Sequence, residues 1–233
     1  MVVERVFDDG QRGAPAGGKK RRSPDRRSTV SVDGVDMGDV APATGAKLQR
    51  RLADAARAFE KERFTEAEQL LTSIQRLAPN VPEVHELLGL TFYRLGRWQR
   101  AITELERFHA LTQSVEQHPV LADCYRARRR WAEVERLWDE LGQASPSPEL
   151  IEEGRIVTAG AMADRGRLAD AIRFLERAPN VKGKPKTHHL RRWYATADLY
   201  ERAGDATRAR RLFGRIAQAA PDFGDAAERA SEL

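Results

Sequence analysis

The sequence predicts an all-α solenoid of about five helix–turn–helix repeats, with a disordered tail before it and a capping helix after it. Three observations predict this. Phe64 and Trp98, Ala67 and Ala101, and Ala55 and Gly89 are each 34 residues apart, the period of a stacked helical hairpin. From Lys47 onward, apolar residues recur at helical spacing. Gly96, Gly166 and Gly204 punctuate that pattern where a first helix should end, because glycine accepts the left-handed conformation that closes a helix.

Composition excludes several classes. Of 233 residues, 32% are charged and 41% hydrophobic, as expected of amphipathic helices. No apolar run approaches the roughly 18 residues that span a bilayer. Glu4, Asp8 and Asp9 interrupt the first ten positions, so no secretory leader is expected. Cys124 is the single cysteine; it reads as a small buried hydrophobe in a protein of the reducing cytoplasm. The net charge of +5 is spread along the helical region among Asp and Glu.

Residues 1–46 are rich in Gly, Pro, Asp and Arg and are expected to be a disordered tail, since so few apolar groups cannot offset the ordering entropy. Within it, Lys19, Lys20, Arg21, Arg22, Arg26 and Arg27 form a basic cluster beside Ser23, Ser28 and Thr29. It reads as a solvated leader or an over-long gene start, or else as a contact for acidic protein, membrane or nucleic acid, with the three hydroxyls placed for a basophilic kinase.

Residues 47–233 are expected to form the helical repeat domain. The first unit, 48–81, carries Ala55 and Ala58, then Phe64, Ala67, Leu71, Ile74 and the closing Pro79. The second, 82–114, sets Leu88, Gly89 and Phe92 against Trp98, Ala101, Leu105 and Phe108; small Gly89 and Ala101 let its two helices approach closely. The third, 115–147, has Leu121, Ala122 and Tyr125, then Trp131, Val134, Trp138 and Leu141, with Pro119 in a first helical turn, where a missing N–H costs little. The fourth, 148–181, starts at Ser147-Pro148-Glu149, an N-cap, a first helical proline and an acidic first turn. Its second helix, with Leu168, Ala171 and Leu175, is cut short by Ala178-Pro179. The fifth, 187–223, carries Trp193, Ala197, Tyr200, Ala209, Phe213, Ile216 and the closing Pro221. Residues 224–233 read as a polar cap, because the open end of a repeat array must meet water. Glu62 and Arg129 stand where the other units have Gly96, Gly166 and Gly204, so both are expected in left-handed turns.

The run Leu88-Gly89, Phe92, Gly96, Trp98, Ala101 and Leu105 resembles the tetratricopeptide repeat family. That resemblance implies a right-handed solenoid whose first helices line a concave groove for a protein or peptide partner. A stripe at i, i+4, i+7 beside the packing face would then face the groove. In the first unit it holds Leu52, Ala56 and Phe59, and in the second Glu86, Leu90 and Tyr93. Pro119, Asp123 and Arg126 follow in the third, Ile156, Gly160 and Ala163 in the fourth, and Tyr194, Asp198 and Glu201 in the fifth. Some members grip a chaperone's C-terminal carboxylate with Lys and Asn on this surface. Leu52, Ala56, Glu86 and Leu90 stand there instead, which disfavours that partner.

Nothing in the sequence points to catalysis, a cofactor or a metal. There is no phosphate-cradling glycine loop and no nucleophile motif. His188 and His189 are adjacent, and adjacent helical residues point about 100° apart, so no shared metal is expected. The leading expectation is a non-enzymatic scaffold or adaptor that binds a protein segment in its groove. The second is an accessory factor on nucleic acid or ribonucleoprotein. It would use the tail, Arg126–Arg130 and the segment from Lys182 through Lys184 and Lys186 to Arg192 as phosphate contacts.

Overall fold

The computed structural model describes residues 30–32 and 34–233, and the expected basic cluster at Lys19–Arg27 lies outside them. The described residues form helices and connecting turns, with no strand among them. They divide into two compact units, one running to Glu140 and one from Leu141 to Leu233, with the division falling inside a helix.

The first unit holds α1 (Pro42–Glu60), α2 (Phe64–Gln75), α3 (Pro82–Arg94), α4 (Trp98–Thr112), α5 (His118–Ala127) and most of α6 (Trp131–Ala144). Pro42 and Pro82 begin their helices at N1 or N2 and Pro119 lies in the first turn of α5, so none of the three removes an intrahelical bond. Helices α1 and α2 pack as a hairpin, α2 meets α3, α3 and α4 form the next hairpin, and α4 meets α5. This stacking of neighbours is the construction of a helical repeat.

Short-range chemistry sets the turns. Gly96 closes α3 with φ 70°. Glu62 and Arg129 occupy the equivalent places after α1 and α5 with φ 60° and 56°, so two bulky residues stand in the left-handed region that glycine fills elsewhere. In the α3–α4 hairpin a Cβ built on Gly89 would lie 2.5 Å from Leu105 Cδ2 and 3.3 Å from the Leu105 backbone nitrogen. Gly89 is thus a point of close approach, and Leu105 fills the room that its missing side chain leaves. Leu71, Ile74, Phe92, Leu105 and Tyr125 are among the large side chains fully removed from solvent.

The helical region begins earlier than the composition suggests. α1 starts at Pro42 rather than near Lys47, and Val35 and Met37 ahead of it are buried. Gln49 of α1 donates to the Val35 carbonyl at 2.8 Å, which ties the extended lead-in to the first helix.

The second unit holds α7 (Pro148–Asp164), α8 (Leu168–Glu176), α9 (Thr187–Arg202), α10 (Ala206–Ala219) and α11 (Ala226–Glu232). The Ser147 hydroxyl caps α7 by accepting from the Leu150 N–H at 3.2 Å, and the Asp205 carboxylate caps α10 by accepting from Arg208 N–H at 3.0 Å. Gly166 and Gly204 take φ 77° and 80° where α7 and α9 end. α7 packs on α8 and α9, α9 on α10, and α10 on α11. Phe213 and Ile216 are fully buried from α10. No described helix is long and apolar enough to cross a membrane.

Candidate functional site

Glu86, Leu90 and Tyr93 share one face of α3, and that face leans on α5. The Tyr93 hydroxyl donates to Asp123 Oδ2 at 2.7 Å, and Gln117 Nε2 donates to Glu86 Oε1 at 2.8 Å. Arg126 lies one turn after Asp123, with Nη1 3.4 Å from Asp123 Oδ1. Two polar bridges therefore join successive first helices, with Leu90 between them. Burial holds the Glu86 carboxyl above the ordinary carboxylate range, and the Gln117 hydrogen bond pulls the other way. Burial, with the Asp123 charge behind it, holds the Tyr93 phenol far above its usual range.

The expectation that this whole stripe is open needs correction. From Val84 to Tyr93 every residue of α3 is buried. Tyr93 retains 5% of its surface, and Glu86 and Leu90 retain 9% each. Leu52 retains none and is a core residue of the α1–α2 hairpin. Phe59 is half-buried at the end of α1, edge-on to Phe64 with ring centroids 5.4 Å apart. Arg126 is likewise half-buried and Asp123 buried. An inner helix of a stacked array meets its own partner on one side and the neighbouring hairpin on the other, so little of its circumference is left for solvent.

The second unit departs further from expectation. Ile156 is fully buried. Tyr194 donates to Asp225 at 2.6 Å, just before α11. From α11, Arg229 donates to the Tyr194 oxygen at 3.0 Å, to Asp198 at 3.1 Å and to Glu201, and its guanidinium lies 4.2 Å from the centroid of the Phe213 ring. Desolvation holds the Asp198 carboxyl above its ordinary value, against the opposing pull of Arg229. Tyr194, Asp198 and Glu201 are thus the seat of the chain's own last helix.

Several residues of the described basic segments are paired with carboxylates. Lys182, Lys184 and Lys186 are exposed between α8 and α9, and Lys186 Nζ is 3.7 Å from Glu149. Arg130 pairs with Glu133, Arg191 with Glu153 at 3.1 Å, and Arg192 with Glu152 at 2.7 Å, the last pair buried. A guanidinium buried against a carboxylate is not available to a phosphate. The outer, second helices carry ion pairs too: Arg97 and Arg100 both reach Glu68, at 2.6 and 2.8 Å, which joins α2 to α4. Such exposed pairs contribute little each.

Histidines form three polar clusters that sequence spacing did not reveal. His85 Nδ1 meets Glu104 Oε2 at 2.6 Å, Nε2 meets the Pro79 carbonyl at 2.9 Å, and Gln75 donates to the same Glu104 oxygen. His188 and His189, expected to point apart, turn toward each other, with Nε2 atoms 3.1 Å apart. The reason is local: His189 Nδ1 accepts the Lys186 N–H at 3.0 Å, which folds its ring back over the first turn of α9. With Nδ1 accepting, His189 Nε2 carries the hydrogen and donates to His188 Nε2, and His188 Nδ1–H then faces Glu149 Oε1 at 3.3 Å. The third cluster is His109, His118 and Glu140. Each offers one ligand atom, and all three lie within 4.8 Å of one another. Cys124 is buried as expected, and burial pushes its thiol well above the usual range.

Comparison with known proteins fits this architecture. Residues 49–110 and 193–222 each match the tetratricopeptide repeat. These two stretches are tetratricopeptide repeats. Solved structures with the same fold include a thermophilic tetratricopeptide repeat protein of Thermus thermophilus (TM-score 0.59, 20% identity, covering 79% of this chain and 97% of that one). The tetratricopeptide-like repeats of a Podosopora anserina chain assigned to the kinesin light chains give 0.58 at 18% identity, over 77% and 98%. The protein pilF of Pseudomonas aeruginosa gives 0.57 at 12% identity, over 80% and 88%. At such identities the likeness speaks to the fold alone. A search of curated proteins found no match. Tetratricopeptide arrays serve in general as scaffolds for protein–protein interaction.

Proposed function

We propose that this chain is a non-catalytic scaffold that binds a protein segment along the first-helix face of the unit ending at Glu140. The observation that carries the reading is the pair of bridges Glu86–Gln117 and Tyr93–Asp123. They join successive first helices, and we take Phe59, Leu90 and Arg126, each of which keeps part of its surface, as the bounds of a narrow binding strip. A strip of that kind offers one or two apolar anchors and a few preorganised polar groups, and preorganised groups lose little entropy on binding. Tyr194, Asp198 and Glu201 are left out of the binding face, because Arg229 already takes them.

The test is site-specific photocrosslinking in cells that express the chain. A photoreactive residue at 59 or 126 is expected to capture a defined protein, and one at 100, on the outer helices, is not. Arg126→Glu should abolish capture from 59. Equal capture from 59 and 100 would sink the proposal.

A further inference from the structure

We propose that His109, His118 and Glu140 form a binding site for a divalent cation of the zinc type, joining α4, α5 and α6. Donor chemistry is the first argument. Two imidazoles and one carboxylate make a recurrent three-ligand zinc set that leaves a fourth position for water. Placement is the second. The three ligand atoms lie within 4.8 Å of one another, and His118 Nε2 is 2.8 Å from Glu140 Oε2. Ligands at about 2.0–2.2 Å from a tetrahedral ion lie roughly 3.3 Å apart. The His118–Glu140 contact would open by about half an ångström and the widest spacing would close, a movement within the reach of side-chain rotation.

The support around the ligands is the third argument. The Ser114 carbonyl accepts from His109 Nδ1–H at 2.9 Å, which fixes the tautomer and leaves the lone pair on Nε2. Arg136 Nη1 donates to Glu140 Oε1 at 2.6 Å and leaves Oε2 on the His118 side. These are the two kinds of outer contact that orient ligands at metal sites, a backbone carbonyl on histidine and a donor on the carboxylate. His118 is buried and the other two are half-buried, so an ion would be partly shielded yet reachable. The histidines come from the last turn of α4 and the first of α5, either side of Gln113 in a left-handed turn at φ 58°. The ion would therefore staple a helix junction.

The experiment uses the full-length, tag-free chain, stripped with chelator and titrated with zinc chloride by calorimetry. Cobalt(II) serves as the spectroscopic probe. One equivalent of zinc is expected, with a rise in Tm, and cobalt should develop the visible bands of a four-coordinate ion. His109→Ala and Glu140→Gln should each weaken zinc binding by more than the roughly 10- to 100-fold that loss of an outer contact causes. Both should keep the helical circular dichroism of the parent, so that loss of binding is not loss of fold. His189→Ala should leave the affinity unchanged. The proposal is overturned if no stoichiometric zinc binds, or if binding survives in His109→Ala and Glu140→Gln and disappears in His189→Ala.

Discussion

The Tyr93 hydroxyl reaches Asp123 across 2.7 Å, from the last turn of one first helix to the middle of the next. Both side chains are buried, so the bond is structural before it is anything else. Removing the phenol oxygen leaves a buried carboxylate short of a donor, which costs about 1–3 kcal/mol. Tyr93→Phe should lower unfolding free energy by that amount in urea titrations. Tyr93→Ala should cost about 3–5 kcal/mol, alongside Phe92→Ala. A Tyr93→Phe variant as stable as the parent would mean that water replaces the bond without loss.

The turns offer a test with opposite signs at equivalent positions. Gly96→Ala forces a Cβ into the left-handed region and should destabilise by roughly 1 kcal/mol. Its new methyl meets nothing closer than Trp98 at 3.8 Å, so backbone strain rather than crowding is the cause. Arg129 already stands at φ 56°. Relief of that strain offsets the flexibility glycine adds to the unfolded chain, so thermal melts should show Arg129→Gly neutral or mildly stabilised.

Gly89 predicts a suppressor. Gly89→Ala places a methyl 2.5 Å from Leu105 Cδ2 and should cost about 1–3 kcal/mol by overpacking. Leu105→Ala alone opens a cavity and should cost about 2–5 kcal/mol. Together the two should cost clearly less than their sum, as measured by denaturant midpoints in a double-mutant cycle. Additive effects would show that the backbone at Leu105, 3.3 Å from the new methyl, sets the limit instead.

Acid should loosen the second unit through His188. Desolvation first, then the neighbouring His189, hold its folded pKa below the ordinary value, with Glu149 opposing. The unfolded chain therefore binds the proton more readily. The resulting stability is present above about pH 6.5 and is lost as pH falls through the folded value. Between pH 7 and 5 the parent should lose stability more steeply than His188→Gln, read from Tm at each pH. Parallel slopes would rule His188 out as the source.

Helices and turns were legible in the sequence because each depends on neighbours within a few positions. The 34-residue interval placed Gly89 against the second helix, the Ser147-Pro148 pair marked the start of α7, and Glu62 and Arg129 were identifiable as left-handed by analogy with Gly96. The inner face was less legible. A stripe at i, i+4, i+7 on α3 cannot distinguish a surface that meets a ligand from one that meets α5, since both favour Tyr, Leu and a few polar groups. Leu52 and Ile156 fell on the wrong side of that ambiguity. The lead-in was not legible because Val35 and Met37 sit among Asp and Gly with no helical period to mark them. The His109–His118–Glu140 cluster has no motif, because α4, α5 and α6 each supply one ligand and only packing brings them together.

Arg229 gives the last helix a mechanical meaning. Seven residues of α11 pack on α10 through buried Ala226 and are latched to α9 by one guanidinium, held by Tyr194, Asp198 and Glu201 and resting on Phe213. Under a load applied at Leu233, that fastening carries the force before any repeat hairpin does. The first event in an extension trace should be the release of α11 as a small, separate step. It would bare a tyrosine and two carboxylates on α9, while the hairpins behind it stay wound.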